Sequence, residues 1–285
     1  MPEGLDEIGD YAFKECTSLT EVTIPKGVIK IGELPFSNCS ALIKIHLPEH
    51  LNGKNLNNKS CKEKNIIMEP YKREFIKFLM SANVLKFGDF TAKSGRKIPY
   101  FVNAGEIKTG EQIAKLGEFY AKAYLEKLGN KKTILYGPAY KGISIAVASS
   151  IALAGHGLDI PFFFNRKEVK DHGEGGIFVG YLPKPGEEIV ITEDVITAGT
   201  AIRESMEKLS SLEGVKVAAV FVMVDRKEKG RGEKGAMQEI EEEFGFPVYA
   251  VADVYDIMEY LEENPGNEEN VTRIKNYLSV NGAKQ

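Results

Sequence analysis

Ile189-Val190-Ile191-Thr192-Glu193-Asp194-Val195-Ile196-Thr197-Ala198-Gly199-Thr200-Ala201 joins a strand, two adjacent carboxylates and a turn of small residues, and its reading decides the fold. The apolar run 189–191, introduced by Pro185 and Gly186, predicts a central strand of a parallel sheet, and an amphipathic helix is predicted from Thr200 onward. Ligands bind at such strand ends. Thr197, Ala198, Gly199 and Thr200 let backbone N–H groups converge on an anion, where the start of the helix adds positive potential. Glu193 and Asp194 are then placed to accept hydrogen bonds from the 2- and 3-hydroxyls of a ribose whose 5-phosphate fills the turn. They also favour positive charge on the sugar. Taken alone, the stretch also reads as a plain strand-to-helix junction, with solvated end charges and Thr200 as the N-cap.

Outward from this stretch, strands and helices alternate. Helices are predicted over 69–80, 111–128, 142–154, 200–211 and 233–244, with helical segments to the end. Strands are predicted over 133–136, 161–164, 188–192, 215–224 and 248–251. This order implies an α/β fold with a parallel sheet covered on both faces. Two further β segments, 85–90 and 100–103, flank Lys93-Ser94-Gly95-Arg96 and predict a hairpin beside the main sheet.

Two other segments suit anions. Tyr140 and Lys141 follow the strand at 133–136 and open a helix, where backbone amides and an ammonium can hold a second anion. Residues 165–176 hold three cations, three acids, a histidine and three glycines, and predict a loop that does not pack. Beside a phosphate turn, Arg166, Lys167, Lys170 and His172 offer donors for a pyrophosphate, and the glycines allow a lid to close.

The opening stretch resembles the phosphoribosyl pyrophosphate (PRPP) signature of the type I phosphoribosyltransferases. Residues 85–105, Gly137-Pro138-Ala139-Tyr140-Lys141-Gly142 and 165–176 resemble segments of the orotate phosphoribosyltransferase family, in that family's order and near its spacing. The likeness covers nearly all of 68–285, and Met68-Glu69-Pro70-Tyr71 resembles the family's usual amino terminus. It implies a parallel-sheet type I phosphoribosyltransferase fold with a small β hood. It also implies transfer of ribose 5-phosphate from PRPP to orotate, with Mg²⁺ held mainly through PRPP and no direct protein ligand for the metal. By the same resemblance, PRPP meets Lys93, Tyr140, Lys141, Arg166, Lys167, Lys170, His172, Glu193, Asp194, Val195, Ile196, Thr197, Ala198, Gly199, Thr200 and Ala201. Orotate meets Phe101, Val102, Thr197 and Arg226; Val102 stands where many relatives carry a second aromatic residue. Lys170, His172 and Asp194 are the implied catalytic groups, in a homodimer whose lid closes over the neighbouring active site. A PRPP-sensing regulator would share the fold but needs a basic element for DNA, and none is visible in the sequence. A transferase for another base would keep residues 189–201 and change the rest.

The composition agrees with an ordinary globular enzyme: 43% of the 285 residues are hydrophobic and the net charge is −4. No overall basic field recruits nucleic acid or anionic membrane. The longest apolar stretch, 143–154, is interrupted by Ser144, Ser149 and Ser150 and is too short to span a bilayer, so a cytoplasmic enzyme is expected.

The first segment stands apart. Cys16, Cys39 and Cys61 all fall within it, and Ile8-Gly9, Phe13, Cys16, Leu19, Val22 and Ile24-Pro25 recur as Ile31-Gly32, Phe36, Cys39, Leu42, Ile45 and Leu47-Pro48. A fixed 23-residue period marks a solenoid repeat, and the pattern resembles the leucine-rich repeats of the BspA-like family. Cys16 and Cys39 are expected to stack as small buried residues. The organisation expected is a two-repeat segment at 1–49, a polar Asn- and Lys-rich linker at 50–67, and the catalytic domain at 68–285. The repeats are either a module for a protein partner or the remnant of a fusion.

Overall fold

The computed structural model describes residues 4–19, 21–32, 35–37, 39, 44–46, 48, 51, 68–92, 95–170, 176–196, 199–230 and 232–283. The chain divides into two compact units, Met1–Glu69 and Pro70–Gln285.

In the first unit the sequence period becomes strand register. β1 (Glu7–Ile8) pairs in parallel with β3 (Lys30–Ile31), and β2 (Glu21–Thr23) with β4 (Lys44–His46). The partners Glu7 and Lys30, Ile8 and Ile31, and Val22 and Ile45 each lie one 23-residue repeat apart. Strands this short hold only by stacking. The Phe13 ring stacks on that of Phe36 with centroids 5.3 Å apart, and the buried Cys39 thiol donates to the Phe13 carbonyl at 2.9 Å. Cys16 is half-buried rather than buried, because it sits at the margin of the cluster. Ile8, Val22, Ile24, Val28 and Phe36 form that cluster, and Leu51 joins it, just past the boundary at 49. Leu42, Leu47, Cys61 and the linker from residue 52 onward lie outside the described residues.

The second unit opens with α1 (Pro70–Ser81), followed by the hairpin β5 (Leu85–Thr91) and β6 (Lys97–Val102). Then come α2 (Gly110–Leu128), β7 (Ile134–Gly137), α3 (Lys141–Gly155), β8 (Phe162–Lys170) and β9 (Gly176–Gly180). β10 (Glu188–Val195), α4 (Thr200–Leu209), β11 (Lys216–Asp225), α5 (Ala236–Phe244), β12 (Val248–Asp253), α6 (Val254–Glu263) and α7 (Glu268–Asn281) complete it.

A six-stranded sheet runs in the order β12-β11-β10-β7-β8-β9, parallel except for β9, which is antiparallel to β8. After β7 the chain moves to β8 on one side and then returns to lay β10 on the other. The connections therefore diverge between β7 and β10, and the carboxyl ends of those two strands form the crevice where such sheets bind ligands. Alternation along the strands supplies two cores. Ile134, Tyr136, Ile189 and Ile191 pack with Ile202 and Leu209 of α4 and Ile240 of α5. Leu135, Val190 and Thr192 turn to the other face, beside Tyr120 and Tyr124 of α2 and Leu153 of α3.

The β5–β6 hairpin forms its own antiparallel pair, as expected of a hood, and Arg273 of α7 ties to it by donating to the Gly88 carbonyl at 3.1 Å. α1 belongs to this unit: Phe75, Ile76, Phe78 and Leu79 are buried, and Lys72 pairs with Asp256 of α6 at 2.9 Å. No helix among the described residues is long and apolar enough to cross a membrane.

Two strands run past their expected ends where this shapes the crevice. β8 does not stop at Phe164 but continues through the charged residues to Lys170, and β9 was not anticipated. The anchor lies beyond the charged run: Phe178 sets its ring edge-on against Phe163 and Tyr136, at 5.6 and 6.2 Å, and so holds the arm in the sheet. β10 likewise runs three residues past Thr192, which places Glu193 and Asp194 inside a strand.

Candidate functional site

The crevice is bounded by the turn from β7 into α3 and the turn from β10 into α4. Side-chain-free backbone shapes both. Gly199 adopts the left-handed conformation (φ +71°), and a Cβ there would run into Ile240 and Arg203. At Gly142 a Cβ would strike the Pro138 ring and the Thr192 carbonyl, so the first turn lies directly against β10. The helix starts are open. α2 begins with a Thr109–Gln112 capping box and α6 with one between Asp253 and Asp256. α3 and α4 receive no hydrogen bond from the side chain of their cap residue and carry no acid in the first turn. Their cap residues thus leave the first N–H groups to other partners, where the helix dipoles favour an anion. The N-cap of α4 is Gly199 rather than Thr200; Thr200 is already the first helical residue because Gly199 makes the reversal. Val195 and Ile196 lead into the turn, with Ile196 buried, and Ala201 is exposed on the first turn of α4. Thr197 and Ala198 lie outside the described residues.

Glu193 and Asp194 are buried, with Glu193 only 7% exposed. The Tyr120 hydroxyl donates to the Glu193 carbonyl at 2.7 Å, fixing the strand end from the α2 side. The Glu193 carboxylate folds back to accept the Asp194 N–H at 3.0 Å. Burial is the main cause that pushes the Glu193 carboxyl up to about 8, and the charge of Asp194 adds to it. The Asp194 carboxylate accepts from Lys141 at 2.6 Å across the crevice. A pair with one side chain half exposed holds its partners in place more than it stabilises the fold.

The β8–β9 arm rises on the α3 side. Asn165 is 4% exposed and makes three hydrogen bonds: Oδ1 accepts from the Tyr136 hydroxyl (2.7 Å) and the Ala139 N–H (3.1 Å), and Nδ2 donates to the Arg166 carbonyl (2.9 Å). Arg166 donates through Nη1 to the Gly176 carbonyl at 3.1 Å, bracing the two strands of the arm. The Lys167 ammonium lies 5.6 Å from the centre of the Tyr140 ring, which is 67% exposed at the start of α3. Cations of the arm and the Tyr140–Lys141 turn thus face one space. The Lys170 side chain and residues 171–175, His172 among them, lie outside the described residues.

At the end of β11, Arg226 is not an exposed strand-end residue: its side chain is 14% exposed. The guanidinium lies over the Tyr100 ring of the hood at 5.2 Å. Nη2 sits 2.6 Å from Glu228 Oε1, an ion pair by distance whose alignment leaves Nε and Nη2 without a hydrogen bond. A planar donor fork suits a carboxylate, but these two nitrogens are buried between Tyr100 and Glu228, so an incoming carboxylate has to displace Glu228. Arg96, at 3.5 Å, approaches Glu228 from the hood. On β6, Phe101 stacks on Phe90 at 5.5 Å and shows its free side to solvent, and Val102, half-buried, pairs with Leu85. Lys93 lies outside the described residues.

The structure thus gathers Tyr140, Lys141, Arg166, Lys167, Glu193, Asp194 and the α4 start around the β7–β10 switch point, and sets Arg226 against the hood. Sequence reasoning gave no role to Tyr120, Asn165 or Glu228. Only Glu228 had a local signal, two residues after Arg226; the partners of the other two are distant in sequence.

Residues 103–252 match the family model for the phosphoribosyl transferase domain, and residues 1–76 that for the BspA type leucine rich repeat region. Orotate phosphoribosyltransferases of Shigella flexneri serotype 5b (strain 8401) and Escherichia coli (strain K12 / DH10B) are each 50% identical over 211 residues, which cover 74% of this chain and 97% of theirs. The crystal structure of orotate phosphoribosyltransferase from Francisella tularensis superposes with a TM-score of 0.66 at 40% identity, over 74% of this chain and 100% of that one.

Proposed function

This chain belongs to the orotate phosphoribosyltransferase family, transferases of pyrimidine nucleotide biosynthesis, and on that premise we propose how the β7–β10 crevice moves ribose 5-phosphate from PRPP to orotate. The observation that carries the reading is the buried Glu193–Asp194 pair next to an α4 start whose cap residue is Gly199 and whose first turn holds no acid. The turn at 196–200 takes the 5-phosphate on backbone N–H groups. Asp194 accepts from a ribose hydroxyl, and Glu193, largely protonated near neutral pH, has a proton to share within the same pair. The pyrophosphate lies between the Tyr140–Lys141 turn and the arm. There Lys141 exchanges its Asp194 partner for phosphate oxygens, and Arg166, Lys167, Lys170 and His172 add charge. Orotate rests against Phe101 and Val102, near Thr197, with its carboxylate taking the place of Glu228 on Arg226 and Lys93 close by.

Orotate needs no covalent nucleophile from the protein: its ring nitrogen attacks as the bond to pyrophosphate breaks, and the ribose passes through an oxocarbenium-like state. The protein lowers that barrier by preorganised charge and by excluding water. Asp194 stabilises the cationic sugar, while Lys170 and His172 meet the leaving pyrophosphate. Among the described residues no group of three or more His, Cys, Asp or Glu converges, and Asp194 is already engaged. A Mg²⁺ ion brought in with PRPP would be held mainly through the substrate's own oxygens and would supply charge neutralisation to the diphosphate. The arm acts in a homodimer, closing over the neighbouring site. Residues 1–49 form a separable repeat module with a role in partner binding or none, 50–67 link it, and 68–285 carry the chemistry.

The test is pyrophosphate release from PRPP with orotate, against adenine, hypoxanthine and uracil as controls. Release with orotate alone is expected. Release with a different base reassigns the acceptor pocket, and release with none removes the activity.

A further inference from the structure

The side chain of Asn165 joins elements that the transfer reaction uses separately. It belongs to β8, yet its carboxamide points into the sheet, where Oδ1 takes two donors, the Tyr136 hydroxyl at 2.7 Å and the Ala139 N–H at 3.1 Å. Ala139 lies in the turn that presents Tyr140 and Lys141. Its own backbone neighbour is held as well, since Nδ2 donates to the Arg166 carbonyl at 2.9 Å. Tyr136 is fully buried, with its ring 4.8 Å from Phe163. One buried amide thus links the core of β7 and the 138–140 turn to the base of the arm.

Only a carboxamide satisfies this site. It must accept from two donors and donate to a carbonyl in a place with almost no access to water. Aspartate would set a buried charge against the Arg166 carbonyl, and alanine would orphan the Tyr136 hydroxyl and the Ala139 amide. We infer that Asn165 is a positioning residue: it locks the 138–140 turn to the arm so that Tyr140–Lys141 and Arg166–Lys167 converge on one pyrophosphate. The inference rests on the phosphoribosyl-transfer reading above.

Because Asn165 reaches the site through the turn and not through the ribose carboxylates, its loss should strike one ligand and spare another. In the full chain, Asn165→Ala is expected to weaken inorganic pyrophosphate about tenfold, measured by calorimetry, and to raise the KM for PRPP in step. Orotidine monophosphate, which has no pyrophosphate, should bind within about twofold of wild type, as should orotate by its KM. Tyr136→Phe removes one of the two donors and should show the same split at about threefold; it carries the test if the alanine variant does not fold. Pyrophosphate binding unchanged in these variants would overturn the inference, as would equal losses of pyrophosphate and orotidine monophosphate. If wild type itself binds no pyrophosphate, the transfer reading falls, and the inference with it.

Discussion

At the end of β10, Glu193 and Asp194 sit inside a buried strand, with Tyr120 fixing the backbone, Lys141 holding one carboxylate and the neighbouring amide the other. On β8, beyond the equally buried Asn165, the strand leaves the core; there Lys167 lies against the exposed Tyr140 ring and Arg166 reaches the opposite strand of the arm. The two regions stand on the same sheet, with β7 between them. The first is a fixed electrostatic surface, whose reorganisation was completed when the chain folded. The second carries charge on long side chains over a short stretch of strand, the part that the proposed lid would bring to a ligand or withdraw. That division fits the reaction, because the sugar must be held throughout while the pyrophosphate must be taken up and let go.

The contrast breaks most visibly at Lys170. If the arm supplies charge only as the leaving group departs, Lys170→Ala lowers kcat by about a thousandfold and shifts PRPP binding far less. Single-turnover kinetics with a separate PRPP titration would check it. Near-normal turnover would remove the arm from the chemical step.

The fixed surface gives the second test. Asp194→Asn keeps the shape but removes a charge and releases Lys141, so kcat/KM for PRPP should fall about fiftyfold while the KM for orotate holds. An equal effect on both substrates would mean that Asp194 serves the fold of the crevice and not the sugar.

The two regions also differ in how far the sequence announces them. β10 was legible because three apolar residues follow a Pro-Gly turn and small residues precede a helix. Its continuation through Glu193 and Asp194 was not, because pattern reading ends a strand where carboxylates begin; hydrogen bonds from Tyr120 and Lys141 keep them inside. β8 misled for a related reason. Residues 165–176 contain almost nothing apolar, and the side chain that secures the arm, Phe178, lies past the glycines. The hub at Asn165 was invisible in principle, since its donors come from positions 26 and 29 residues earlier. The repeats of the first unit are the opposite case, where the period in the sequence is the register in space.

A smaller effect follows from the proton on Glu193. Its folded pKa, about 8, lies above the usual 4.5 for such a carboxyl, so the folded chain binds the proton more tightly than the unfolded chain. Stability from this group is therefore present below about pH 4.5, declines as pH rises, and is fully lost above about pH 8. The Tm of wild type should drop between about pH 6 and about pH 9 by more than that of Glu193→Gln, which has no proton to lose. Parallel curves would mean that Glu193 ionises as an exposed carboxyl does, and the fixed surface would then carry two negative charges near neutral pH.

The smallest effect expected is none, and it bounds the comparison from outside. Everything assigned to the fixed surface and to the arm lies after Pro70, in a unit with its own sheet, its own two cores and its own first helix. The repeat-family match runs to residue 76, but Phe75 and Ile76 are buried on α1 and Phe75 packs 5.1 Å from Phe119 of α2, so a cut must fall before the helix. Deleting residues 1–67 leaves α1 whole, and the truncated chain should keep kcat and both KM values within about twofold of the full chain. Its Tm and its oligomeric state, followed by calorimetry and size-exclusion chromatography, should also match. A collapse in activity with the fold intact would tie the repeats to the crevice or to the proposed dimer, and the fixed surface and the arm would no longer be a complete account of the site.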